Sequence, residues 1–177
     1  MRAEGLVTVS KITLADGKKL SLRKACDYGW LSPVRVPAGW GIGDDELSLG
    51  SNLFLDGGRQ LLAYAFAFRA PIENFTLQKF GVGTGLTAAA VTDVALEAPV
   101  MLASASATTA PITSVDFLTA FVVRIGFTIG IGDANGYLLT EFGLFSGNNT
   151  LLARKVRSVG INKTSDYAPT CSWRLRF

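Results

Sequence analysis

The chain has 177 residues, with 17 Lys and Arg against 14 Asp and Glu, a net charge of +3, two Cys and no His. That length suits a single domain that buries about 70% of the surface its unfolded form exposes, so a core can form without a disulfide or metal staple. The missing His excludes Ser-His-Asp and Cys-His nucleophiles, imidazole metal ligands and the ordinary near-neutral proton shuttle.

The first 58 residues are irregular. Leu6-Val7-Thr8-Val9 and Ile12-Thr13-Leu14 read as short strand pieces, and Asp16-Gly17 is a hairpin signal followed by Lys18 to Arg23. Gly29, Pro33, Pro37, Gly39, Gly41, Gly43 and Gly50 then break any regular element around Trp30, Trp40 and Asp44-Asp45-Glu46. Residues 1–58 therefore read as an extended N-terminal arm that docks its Trp and Leu side chains on a neighbour or on the chain's own body. Residues 59–177 read as the folded body.

Leu62, Tyr64, Phe66 and Phe68 alternate with alanines, a strand period. Phe75 to Val82 is a second strand. Thr92 to Glu97, between Thr and Asp caps and Pro99, predicts a helical turn or two. Phe117, Phe121, Val123, Ile125, Phe127, Ile129 and Ile131 all fall on odd positions and predict one long strand. Asn135-Gly136 predicts a tight hairpin, with Tyr137 to Phe145 as its returning partner. Ser146-Gly147-Asn148-Asn149 makes the next turn, Thr150 to Val159 another strand, and Cys171, Trp173, Leu175 and Phe177 alternate in the last one. Short strands with turn signals about every ten residues predict an all-β antiparallel sandwich or barrel.

Charged residues are 18% of the chain, against roughly 25% in an average soluble domain, and mean hydropathy is +0.32. Such a chain either enters a membrane or buries much of its exterior against partners. A spanning helix needs about 18 consecutive apolar residues. The longest clean run, Leu61 to Phe68, stops at Arg69. Met1-Arg2-Ala3-Glu4 opens no apolar signal segment. The expectation is an assembly subunit that packs against partners, without a membrane.

Candidate chemistry is sparse. Cys26 and Cys171 lack CxxC spacing and read as free thiols. Gly81-Val82-Gly83-Thr84-Gly85-Leu86 invites a phosphate-loop reading, but Leu86 stands where a dinucleotide fingerprint needs a small residue, and no Gly-Lys-Ser/Thr follows. These glycines read instead as a sharp turn at positive φ. Asp44, Asp45 and Glu46 lack the alternate spacing of a calcium loop. Glu141, on an apolar strand, reads as a structural salt bridge to Arg124 or Arg154, or as a backbone cap; as a catalytic acid it lacks a second carboxylate. No catalytic residue, metal site or cofactor is expected. The basic residues, including Lys18, Lys19 and Arg23, read as facing an acidic protein surface rather than a specific nucleic acid. With Trp30 and Trp40 they form the expected partner-binding set.

Val82-Gly83-Thr84-Gly85 with Asp93-Val94-Ala95-Leu96, then Glu141-Phe142-Gly143-Leu144-Phe145, Leu151-Leu152-Ala153-Arg154, Lys163-Thr164 and Ser172 to Phe177 follow one another along the chain. Over about residues 60–177 this pattern resembles a group of small tailed-bacteriophage virion proteins, described variously as tail, fibre or decoration components. The resemblance implies a jelly-roll-like β-sandwich body that forms a symmetric homo-oligomer on a virion. The expected role is a capsid decoration or cement protein, with a trimer favoured and the major capsid protein or another virion protein as partner. A tail, neck or fibre-attachment subunit is the rival placement. A carbohydrate- or receptor-binding sandwich using Trp30, Trp40 and Tyr167 is the alternative function.

Overall fold

The structure is a computed structural model of the whole chain, and it describes residues 4–28, 30, 47–67, 76–120 and 122–176. Among the described residues, ten strands and two helices follow one another: β1 Glu4–Leu14, β2 Lys19–Leu20, α1 Leu22–Asp27, β3 Leu47–Phe54, α2 Asp56–Ala67, β4 Leu77–Gly83, β5 Thr109–Pro111, β6 Ser114–Thr119, β7 Val122–Thr128, β8 Leu138–Ser146, β9 Leu151–Asn162 and β10 Tyr167–Arg176. The fold is all-β, and every strand pairing is antiparallel.

The strands run in the order β5-β4-β8-β9-β3-β1-β10-β7-β6, with β2 paired on β1. Phe80 of β4 and Phe127 of β7 are six steps apart in that order, which in a flat sheet is about 29 Å at about 4.8 Å per step. Their ring centroids are 4.6 Å apart. The sheet therefore folds over on itself and forms two layers with a shared core. Two segments make the joins. β3 pairs with β1 over most of its length and with β9 at Leu53 and Phe54. On the other flank, β5 and β6 form a nearly continuous segment that changes layers: the Ile112 N–H donates to Gln78 O beside β4 (3.0 Å), and the Thr113 N–H donates to Gly126 O of β7 (2.7 Å). Strands that switch layers are a known way to turn the corner of a sandwich.

The core collects one face of five strands above all: Val7, Val9 and Ile12 from β1, Phe80 and Val82 from β4, Ile125 and Phe127 from β7, Phe142 and Leu144 from β8, and Cys171, Trp173 and Leu175 from β10. The odd-numbered set of the last strand thus points inward, as its alternation predicts. The two thiols are free, and burial pushes that of Cys171 up to about 12.

Several expectations need correction. The start of the predicted arm is a central strand, because β1 lies between β3 and β10 and its Val7, Val9 and Ile12 are fully buried. Too much apolar surface alternates in residues 6–14 for them to lie as a detached tether. Asp16-Gly17 does form a hairpin, with Gly17 at φ +82°, but the chain then enters α1, where Ser21 accepts the Lys24 N–H as N-cap. The predicted strand at residues 61–68 is helix α2 over its described part; Ala63 and Ala67, one turn apart, are exposed. Alanine favours helix over strand, and Gly57 lets the start of α2 approach β9, where a Cβ would meet Leu151 O at 2.8 Å. The predicted strand at residues 117–131 is broken between β6 and β7. Asn135-Gly136 turns at φ +82°, but β8 does not return beside β7: β7 pairs with β6 and β10, and β8 with β4 and β9. Phe68, Phe75, Phe121, Phe177, Trp40 and Asp44-Asp45-Glu46 lie outside the described residues.

Since β1 fills the centre of one layer, removing residues 1–14 strips β3 and β10 of their shared partner. The truncated chain is expected to show no cooperative thermal transition by circular dichroism, whereas a detached arm would leave the melt unchanged.

Candidate interaction surface

Between β4 and β5 the chain runs from Thr84 to Thr108 without a strand or helix of its own. Loops this long in a compact domain are uncommon and carry function when ordered. This one is ordered by charge. Arg154 of β9 is 3% exposed at its side chain, and its guanidinium meets Glu141 of β8 (Nε–Oε1 and Nη2–Oε1 2.7 Å), Asp93 (Nη1–Oδ2 2.7 Å) and Glu97 (Nη2–Oε2 3.4 Å). Glu141, fully buried, also accepts the backbone N–H groups of Glu97 (2.7 Å) and Ala98 (3.1 Å). Arg154 lies opposite Gly143 in the β8–β9 register, two residues along from Glu141, so both side chains leave the same face of the sheet and grip the loop together.

The loop's own acids extend that grip. Glu97 accepts the Thr87 N–H (2.8 Å) and hydroxyl (2.7 Å), and Asp93 accepts the Ala90 N–H (2.9 Å). These bonds spend the side chains that would cap a helix on turn geometry, which is why residues 92–97 form turns rather than the predicted helix. Hydrogen bonds from Thr87 hold the Glu97 carboxyl below its ordinary range. Burial pushes Asp93 upward, but the Ala90 N–H and Arg154 outweigh it and leave Asp93 lowered too. Burial works against the Arg154 charge, and Asp93 and Glu141 more than restore it.

The glycines before the loop serve this site by their size. Among the described glycines φ is positive at Gly17 and Gly136, not at Gly83 or Gly85 as the sharp-turn reading expects. A Cβ at Gly83 would overlap Glu141 Oε2 and lie 2.6 Å from Ala98 O, and one at Gly85 would lie 2.7 Å from both Glu141 Oε2 and Glu97 Oε2. Arg154 fills the centre on which the three carboxylates converge. Among the described residues no group of Cys, Asp and Glu is arranged to hold a metal ion. Asp93 and Glu97 stay ionised at neutral pH and have no proton to give.

A second anchor holds the far end of the loop. Asp133 accepts the Ser104 N–H (2.7 Å) and hydroxyl (2.8 Å) and the Gly130 N–H (2.9 Å). Burial raises Asp133, but these donors and Lys163 bring it below its usual value. Lys163, fully buried, donates to Ile131 O, Asn135 Oδ1 and Thr164 O, and desolvation pushes it down to about 8 against the pull of Asp133 and Asp166.

What the two anchors present outward is apolar. Leu86 is 68% and Val94 84% exposed, and Met101 also faces solvent. Val94 rims a groove of about 350 Å³ lined by Leu96, Pro99, Ala107 and Phe145, and also a second of about 260 Å³ beside α2. A further apolar patch lies on edge strand β6, at Val115, Phe117 and Leu118.

Of the partner-binding set read from the sequence, Trp40 lies outside the described residues and the others sit in or beside β2 and α1. Trp30 docks on the chain's own body: its ring stacks on Tyr167 with centroids 4.3 Å apart and 5° between planes. Tyr167 is itself fully buried, so neither ring stands free as a sugar platform. Lys18 pairs with Asp16 at 2.9 Å, while Lys19 and Arg23 are exposed at β2 and α1. Glu141 finds Arg154, one of its two expected partners, and Arg124 binds Asp116 instead. The residues missed were the loop's exposed Leu86, Val94 and Met101. Isolated apolar residues in a Gly/Ala/Thr-rich stretch carry no period that would mark them.

Replacing Arg154 by Met leaves Glu141 buried without its counter-charge, and is expected to cost about 3–5 kcal/mol in chemical denaturation. Because Asp93, Glu97 and Asp133 titrate lower folded than unfolded, their contribution is complete above their ordinary values of 3.8 to 4.5 and drains away as pH falls below them. Hydrogen exchange of the loop amides is expected to be unchanged from pH 7 to pH 5, after correction for intrinsic rates, and to lose protection below about pH 4.

No family model, curated protein or solved structure matches the chain.

Proposed function

We propose that this chain is a structural protein of a tailed-bacteriophage virion, a capsid decoration subunit that adheres to coat subunits and stabilises the shell. The observation that carries the reading is the 84–108 loop, with its apolar side chains held toward solvent by buried charge. A binding loop fixed before it meets its partner loses little conformational entropy on docking, so more of the contact energy appears as affinity. Exposed apolar groups rimmed by polar ones mark interaction sites. The low charge content of the chain and its order of motifs support the same reading.

The sandwich body supplies rigidity and the loop supplies adhesion; no bond is made or broken. Adhesion is thereby assigned to the body rather than to a tethering arm, because β1 is committed to the sheet and Trp30 to Tyr167. Apolar burial contributes roughly 25 cal/mol per Å², so a contact of a few hundred Å² per copy, repeated over a shell or around a homotrimer, resists internal pressure cooperatively.

Co-sedimentation with empty capsids tests this reading. The wild-type chain is expected to pellet at high copy number, and V94D is expected to bind about tenfold more weakly, a loss of about 1.4 kcal/mol, with an unchanged melting temperature. Binding at a handful of copies per particle would move the protein to the tail or neck. Wild-type chain that stays in the supernatant, or V94D that binds as well as wild type, would overturn the assignment of the loop as the adhesive surface.

A further inference from the structure

Asn135-Gly136 is the one Asn-Gly pair in the chain. It is the sequence in which a side-chain amide is most readily lost, because glycine leaves its backbone nitrogen free to approach the asparagine carbonyl carbon. The pair sits at the surface, where Gly136 is exposed and a Cβ added to it would meet nothing within 4 Å. Sterics therefore do not protect it. Three hydrogen bonds do. Lys163 Nζ donates to Asn135 Oδ1 at 2.8 Å, Asn135 Nδ2 donates to Ile131 O at 3.0 Å, and the Gly136 N–H donates to the backbone carbonyl oxygen of Lys163 at 2.8 Å.

We propose that Asn135–Gly136 is a latent succinimide-forming modification site that Lys163 holds shut. In the reaction, the Gly136 amide loses its proton to solvent base, and its nitrogen forms a bond to Asn135 Cγ. The Cγ–Nδ2 bond breaks, and Nδ2 departs with that proton count restored as ammonia. Water then opens the five-membered ring to aspartate or isoaspartate. Each requirement is opposed by one contact. The nitrogen that must attack is committed to Lys163 O. The side chain that must rotate is held at both ends of its amide, on one side by a charge-assisted bond from a buried ammonium. The ammonium cannot drift, because it also donates to Ile131 O and Thr164 O. Lys163 thus acts on Asn135 as a positioning residue. Opening to isoaspartate would add a backbone carbon to the turn that carries Asp133, and so loosen the anchor on Ser104.

The test is mass spectrometry of the purified full chain during incubation at neutral pH, beside a synthetic peptide of residues 132–138. The folded chain is expected to convert at residue 135 at least about tenfold more slowly than the peptide. K163M is expected to convert faster than wild type, and K163R, which keeps a cation on the carbonyl, to stay slow. Variants are compared only where a cooperative melt shows folding. Should K163M not fold, side-chain amide exchange of Asn135 in the wild type decides by NMR, with protection of its Nδ2 protons expected. Wild type converting at the peptide rate, folded K163M converting no faster than wild type, or freely exchanging Nδ2 protons would each overturn the proposal.

Discussion

The buried pair of Glu141 and Arg154 is the contact on which the outer surface depends. An ion pair out of water gains little over a packed apolar pair of the same volume, since desolvation consumes most of the attraction. Its value here lies in what it specifies. A guanidinium has five donors in a fixed plane, and a carboxylate accepts along several directions, so the pair can hold Asp93, Glu97 and the backbone of residues 97 and 98 in one geometry. An apolar pair would bury the same strand face and leave the loop without a register.

That constraint explains residues that otherwise look unrelated. Gly83 and Gly85 are small because the Glu141 carboxylate occupies the space a side chain would need. Leu96 follows the charged turn and packs with Leu55, Phe145 and Leu151 in a second, smaller cluster on the outside of the layer. Asp133 repeats the principle at the other end, with one carboxylate taking backbone donors from two segments. A segment of about 25 residues thus becomes a fixed surface without a helix or strand, because side-chain acceptors satisfy the backbone groups that regular structure would have paired.

The two layers depend on a different device. Where β3 and the β5–β6 segment cross between layers, one short stretch of chain satisfies partners in both, so the layers join through backbone pairing on either flank. The cost is an edge: among the described residues β6 pairs with β7 alone, and it exposes Val115 and Phe117 on the face that is core in β7. Exposed apolar edges invite association.

Local pattern was enough for strands whose ends are marked by turn residues or whose large side chains alternate up to such a mark. β8, β9 and β10 were legible because Gly/Asn turns mark the ends of the first two and large side chains alternate in the third. The pairing of Glu141 with a basic residue was legible too, since an acid on an apolar strand must be compensated wherever it is buried. Tertiary structure decided the rest. Residues 61–67 form a helix where the alternation of large and alanine residues predicts a strand, because alanine favours helix and the small Gly57 admits the start of α2 against β9. The N-terminal residues looked like an arm because breakers follow them, yet their place between β3 and β10 rests on partners more than a hundred residues away in one direction. Asn135-Gly136 signalled a turn but not a neighbour: turn geometry is encoded in two residues, whereas which strands the chain then joins, here β4 and β9, depends on distant backbone edges that need partners.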